Sequence, residues 1–284
     1  MSDTSFGPLR IWKADSRTFA SESIPLPTPR HSLLERLSLE EVLRPTLHLR
    51  DSFEPLTLAW YQELERLRYH RHGRWIPRLL DFGKYHGERL LGLGSSLGSD
   101  LVNYAANGVE VIVASSVSEQ LSLVRRNFDL RRLPGVFLHA NPTALPIESA
   151  SVDVVYMNGM PQESKDAARV VQETYRVLKP GGKLLAIVPA SPTSSILTKI
   201  VDSIRRSRRQ ADSGRLDLFD RRSLAQRLSR FQESRIYRRH IRRSEAPHLF
   251  RWLPLGMLER LIGRLLVFKG FKPVSASRAD SLAA

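Results

Sequence analysis

From residue 89 the chain alternates short, β-branched apolar runs with segments of helical periodicity. The runs are "RLLGL", "VEVIVA", "VFLHA", "SVDVVYMNG" and "GKLLAIVPA"; "LGSDLVNYAANG", "SEQLSLVRRNFDLRR" and "ESKDAARVVQETYRVL" carry the helical spacing between them. Strands that read as nearly continuous apolar runs are buried on both faces, and helices between them supply the cover. The alternation therefore dictates an α/β fold, a doubly wound and mostly parallel sheet. Two later runs, "ESRIYRRHI" and "RLLVFKGF", are predicted as antiparallel closing strands, the first preceded by the capped helix "DRRSLAQRLSRF". Ligands of such sheets bind outside the C-terminal strand ends. That singles out residues 92–98, 114–116, 140–142 and 157–160.

The flanks divide differently. Residues 1–30, rich in Ser, Thr and Pro, read as a flexible arm, and 31–83 as an N-terminal helical lid. The lid has helical spacing at 33–43 and 53–73 and a short helix in "RWIPRLLDFG". The α/β domain spans 84–273, with its core at 89–190 and an Arg-rich insertion at about 199–230; 274–284 form a flexible tail.

The absence of cysteine excludes disulfides, thiolate metal sites and cysteine nucleophiles. No apolar stretch is long enough to span a bilayer, and the N-terminus lacks the apolar core of a secretory signal. The expected location is cytoplasmic, or peripheral at a membrane. The net charge of +15 favours anionic partners, either acidic lipid or nucleic acid. Between Lys199 and Arg243 stand 15 Lys and Arg against 5 Asp and Glu, two thirds of that excess. With the amphipathic "LFRWLPLGMLERLIG", this stretch is predicted to form a basic face that docks on anionic membranes, Phe250, Trp252, Leu253 and Leu255 supplying the apolar groups.

In "LLGLGSSLGSD", Gly94 and Gly98 let the backbone turn sharply beside a ligand, and the following helix offers free N–H groups. A glycine loop alone is equally a tight strand-to-helix turn. The order of later segments adds to it. "RLLGLGSSLGSD", "VEVIVASSVSEQLSLVRRNF", "HANPTALPIESASVDVVYMNG" and above all "ETYRVLKPGGKLLAIVP" resemble the class I S-adenosylmethionine-dependent methyltransferases, the methyltransferase type 11 branch. The resemblance implies a Rossmann-like fold, S-adenosylmethionine as cofactor, and a site of Gly92, Gly94, Ser95, Ser96, Gly98, Ser115, Ser116, Asn141, Pro142 and Asn158.

Several of these positions depart from the family's pattern. The acid that commonly ends the first strand falls on Gly92, and the middle loop glycine on Ser96. The acid that takes both ribose hydroxyls falls on Ser115, and the one near the adenine amino group on Asn141. A carboxylate accepting two hydroxyls makes bonds worth roughly 1.5–3 kcal/mol each, so cofactor binding is expected to be weak or lost. The amide oxygen of Asn141 is expected still to accept from an adenine amino group.

No residue stands out as catalytic. Gln162 and Glu163 follow the fourth strand where a substrate-facing group is common in the family. Trp60 and Tyr61 are expected in core packing, with closure over the site as the alternative, and the histidines of "YHRHG" as surface residues, with no metal site. The leading function is methyl transfer to a small-molecule or lipid-like acceptor. The alternatives are a scaffold that kept the fold and lost the cofactor, whose crevice Ser96 and Leu97 would fill, an RNA methyltransferase, and an NADP-binding protein with Arg125 and Arg126 on a 2′-phosphate.

Overall fold

The computed structural model describes residues 53–70, 73–94, 97–160, 164–191, 218–240, 252 and 254–274. The arm, the 33–43 helix, most of the Arg-rich insertion and nearly all of the tail lie outside them. Two helices come first, α1 (Leu58–Tyr69) and α2 (Trp75–Leu79). Then follow β1 (Arg89–Leu93), α3 (Ser99–Ala106), β2 (Glu110–Ser115), α4 (Ser118–Leu130), β3 (Val136–His139) and β4 (Val152–Asn158). The chain continues through α5 (Ser164–Val177), β5 (Leu178–Pro189), α6 (Arg221–Arg227), β6 (Gln232–Arg239), α7 (Leu255–Ile262) and β7 (Leu265–Phe271).

The strands form one sheet in the order β3-β2-β1-β4-β5-β7-β6. The first five pair in parallel and β7 runs antiparallel to both β5 and β6, as the two closing runs predict. Alternate residues of each strand face opposite sides. Leu91, Leu93, Ile112, Val155 and Leu184 pack under α5 and α6; Leu90, Val111, Val113, Val154 and Leu185 pack under α2, α3 and α4. Both faces are covered, which is why the strands read as unbroken apolar runs. The strand expected from Gly182 starts earlier, at Leu178, with a register shift against β4 between Val152 and Val154. Lys272 N and Gly182 O pair across its irregular start at 2.8 Å, so the Gly-Gly turn is taken into the ladder.

Helix α1 starts at Thr57, whose hydroxyl accepts from Trp60 N, and packs on α3 and α4 as a further layer. The reversal of strand order between β1 and β4 opens the C-terminal edge at that point.

Candidate cofactor site

The ends of β3, β2, β1 and β4 lie side by side. The register sets Leu93 beside both Ala114 and Met157, and Ser115 beside His139. Gly94, Ser115, Asn141 and Asn158 therefore stand along one edge, in the order of their strands. Ser95 and Ser96 lie outside the described residues.

Each loop glycine has an internal reason to be glycine. A Cβ on Gly94, at φ +63°, would sit 2.3 Å from the Asn158 carbonyl oxygen. On Gly98, at φ +78°, it would stand 2.7 Å from Cγ1 of Val124. On Gly92 it would meet Cδ1 of the buried Leu101 at 2.6 Å, so an aliphatic side chain fills the space of the missing acid. The glycine pattern follows from close approach of β4, α3 and α4. Gly94 nevertheless stays exposed, and its turn leads into the first turn of α3.

The neutral replacements are already engaged. Ser115 Oγ accepts from Val117 N (3.1 Å) and donates to Oε1 of Gln120 (2.9 Å). One lone pair remains for a ligand. Asn141 Oδ1 accepts from both N and Oγ1 of Thr143, at 3.0 and 2.8 Å. Two donors fill a carbonyl oxygen's lone pairs, so in this conformation it is not an acceptor for an adenine amino group. Those bonds compete with the acceptor role expected from sequence. Ser116 and Asn141 are exposed and Pro142 is half-buried; the Ser116 carbonyl lies 3.1 Å from Nε2 of His139.

The network beneath the loop escapes a sequence reading. Asp100 is buried in the first turn of α3. Its carboxylate takes Nε and Nη2 of Arg68 at 2.8 and 2.5 Å, the Tyr69 hydroxyl at 2.8 Å, and the Tyr156 hydroxyl. Burial opposes the charge, but the Arg68 guanidinium and the two phenols outweigh it and hold the carboxyl below its usual range. Both phenols are pushed up, first by burial and then by this carboxylate, so they remain donors. The carboxylate nearest the loop thus faces α1 and β4. Its partners come from 32 and 56 residues away, beyond any local pattern.

A second chain of contacts fixes the loop's rim. The Leu97 carbonyl accepts from Nδ2 of Asn127 (3.0 Å), whose Oδ1 accepts from Nε of Arg131 (2.9 Å). Nη2 of Arg131 donates to Glu65 of α1 at 2.8 Å. Burial pushes the Glu65 carboxyl up to about 7, with Arg131 opposing. Leu97 itself packs with Trp60 and Tyr61, and the Tyr61 hydroxyl donates to the Leu123 carbonyl (2.8 Å). The two aromatics are core residues, as expected.

Other readings fare unevenly. Gln162 and Glu163 lie outside the described residues, as does His72. Among the described residues no cluster could hold a metal ion. Arg126 Nε donates to the Leu56 carbonyl (2.7 Å) and Arg125 lies over the Phe137 ring, so both guanidinia have partners away from a 2′-phosphate.

Comparison with known proteins finds similarity in the same segment. Residues 91–186, from β1 into β5, match the family model described as a methyltransferase domain. That match covers about a third of the chain. Demethylmenaquinone methyltransferase of Thermus thermophilus is 31% identical to the chain over 117 residues, 40% of this chain and 53% of that one. Cycloartenol-C-24-methyltransferase of Arabidopsis thaliana is 30% identical over 127 residues, 43% of this chain and 37% of that one. The chain thus spans about half, or less, of the length of these curated relatives. Phosphoethanolamine N-methyltransferase 2 of Haemonchus contortus, solved with S-adenosyl-L-methionine, shares the domain's fold at TM-score 0.53 and 17% identity, over 87% of this chain and 62% of that one. So does the [4+2]-cyclase SpnF, at TM-score 0.53 and 15% identity, over 87% and 98%. Shape alone leaves the reaction open.

Proposed function

We propose that this protein transfers a methyl group from S-adenosylmethionine to a small-molecule or lipid-like acceptor. The carrying observation is the open Gly94 turn at the strand-order reversal, inside a domain that matches the methyltransferase family over β1 to β5. Curated relatives whose names are those of quinone and sterol methyltransferases support an apolar acceptor.

The fit is partial. Gly94, Ser95, Ser96 and Gly98 would hold the cofactor through backbone, with the α3 N-terminus beyond them. Asn158, Ser115, Ser116, Asn141 and Pro142 would line the adenosine side. Leu101 takes the space below Gly92, and Ser115 has one lone pair to spare. The cofactor supplies an electrophilic methyl on a sulfonium, and holding the acceptor in line with it supplies much of the catalysis. The chain's part is therefore to bind, align and exclude water.

Titration calorimetry with S-adenosylmethionine and S-adenosylhomocysteine tests the reading. Weak, measurable binding of both is expected. In Ser115→Asp one oxygen can keep the Val117 amide while the other meets a ribose hydroxyl. Binding should tighten about tenfold, equivalent to ~1.4 kcal/mol. No binding by either protein would favour the alternative of a scaffold without cofactor.

A further inference from the structure

The described part of the C-terminal segment carries exposed apolar side chains where a folded core has no need of them. Trp252 is 76% exposed, Met257 50% and Leu218 44%. Leu218 and α7, which carries Met257 and follows Trp252, join the same end of the sheet. The Phe219 amide donates to the Pro189 carbonyl (2.9 Å), which sets Leu218 beside the C-terminal end of β5. Leu265 opens β7 opposite the same Pro189, so α7 also joins the sheet there. An eight-residue helix spans about 12 Å, which places Met257, in its first turn, within about that distance of the edge; Trp252 precedes the helix by three residues.

Cations stand on the same elements. Arg221 and Arg222 open α6 directly after Phe219, and Arg260 is on α7; all three are exposed. Arg239 and Arg264 are half-buried beside the junction of β6 and β7. Two acids are near. Asp220 turns its carboxylate to the amides of Arg222 and Ser223 (2.7 and 2.8 Å), and Glu259 is half-buried on α7. The sequence expectation is thereby narrowed. Arg238 is turned inward, donating to the carbonyls of Gly263 (2.7 Å) and Ser191 (2.6 Å). Arg205, Arg206, Arg208, Arg209, Arg242, Arg243, Phe250 and Leu253 lie outside the described residues.

We infer that Leu218, Trp252 and Met257, with the exposed Arg221, Arg222 and Arg260 of the same elements, form a docking surface for an anionic lipid bilayer. A tryptophan with an aliphatic neighbour suits the boundary between headgroups and acyl chains, and cations around it suit an acidic leaflet. A nucleic-acid face would use the arginines and leave the aliphatic groups without purpose. Among the described residues no helix is long and apolar enough to cross a membrane, so this attachment is interfacial. Docking itself requires no methyl transfer. Its sense, delivery of a lipid-like acceptor to the edge that holds the candidate cofactor site, rests on the proposed function.

The test is sedimentation of the full chain with phosphatidylcholine vesicles, with and without phosphatidylglycerol, at low and high salt. Binding is expected only to the anionic vesicles, and to weaken with salt. Trp252→Ala should weaken it about tenfold, and Arg221→Gln with Arg222→Gln about 25-fold. Subtracting the emission of Trp252→Phe isolates the spectrum of Trp252, which should shift to the blue on the vesicles. Far-ultraviolet circular dichroism of each variant checks folding, and so exposed a tryptophan is removable without loss of core. Equal binding to both vesicle types, binding to neither, or release from anionic vesicles by equimolar RNA would overturn the inference. Cofactor calorimetry on the same variants should be unchanged, so failure of docking and failure of the proposed function are read separately.

Discussion

The two edges of the sheet are built from different chemistry. At the N-terminal edge charges meet in pairs. Asp153 takes the Arg89 amide (2.9 Å) and the Lys179 ammonium (2.7 Å), Arg89 reaches Glu110 (3.0 Å), and Asp81 accepts from Lys183 and Lys269 (2.7 and 2.8 Å). At the C-terminal edge the corresponding positions are neutral. Gly94, Ser115, Asn141 and Asn158 lie at or just beyond the ends of β1 to β4, and two of those side chains are engaged by their own loops. The one carboxylate in the first turn after the glycine loop, Asp100, is turned into the protein. Charge serves cohesion at one edge and, among the described residues, is withheld from the ends of β1 to β4 at the other, where a ligand would sit.

That division predicts three outcomes, largest first. Asp100→Asn keeps the shape but leaves the Arg68 guanidinium and two phenols facing an amide. Because Arg68 retains a 32% exposed side chain, the cost should be about 3 kcal/mol, read by urea unfolding. The native Asp100 pKa lies below the unfolded value, so its contribution is present above that value and is lost as pH falls through the native one. The difference between wild type and variant should therefore shrink in acid; a constant difference would mean that the charge is not what binds α1 to α3.

Asp81→Asn should cost less, about 1–3 kcal/mol, by leaving the buried Lys183 without its counter-charge. Asn tolerates the φ of +58° at this position, so the loss reports charge rather than backbone. Cofactor affinity should not change. If it does, the two edges are coupled and the comparison fails.

The smallest effect is at Glu65. Its carboxyl, raised to about 7 by burial, still holds a proton in the native state at pH values where the unfolded chain has released it. Stability at this group is therefore full below the unfolded pKa and declines as pH rises through about 7. Glu65→Gln should flatten that decline, by no more than about 1 kcal/mol since solvent screens a partly exposed pair. Thermal melts across neutral pH would detect it, and an unchanged slope would remove Glu65 from the link to Leu97.

Strands from β1 to β5, the closing antiparallel pair and the cap at Asp220 were legible because each rests on local periodicity or a local hydrogen bond. The missing carboxylates were equally legible. What replaces them was not. Leu101 under Gly92 and Thr143 on Asn141 are matters of packing and rotamer.

The sequence by itself determined the α/β class, the parallel run of strands, the glycine loop at the end of β1 and the excess of arginine. Those properties are written in nearest-neighbour periodicity and in counts. Only the tertiary structure decided that Asp100 belongs to Arg68, Tyr69 and Tyr156, and that Arg238 is spent on carbonyls while Arg221 and Arg222 are exposed. It alone also brought Leu218 and α7 to the edge beside the candidate site. The reason is distance along the chain. A charge or an apolar side chain takes its meaning from the groups that surround it, and here those groups arrive from tens of residues away.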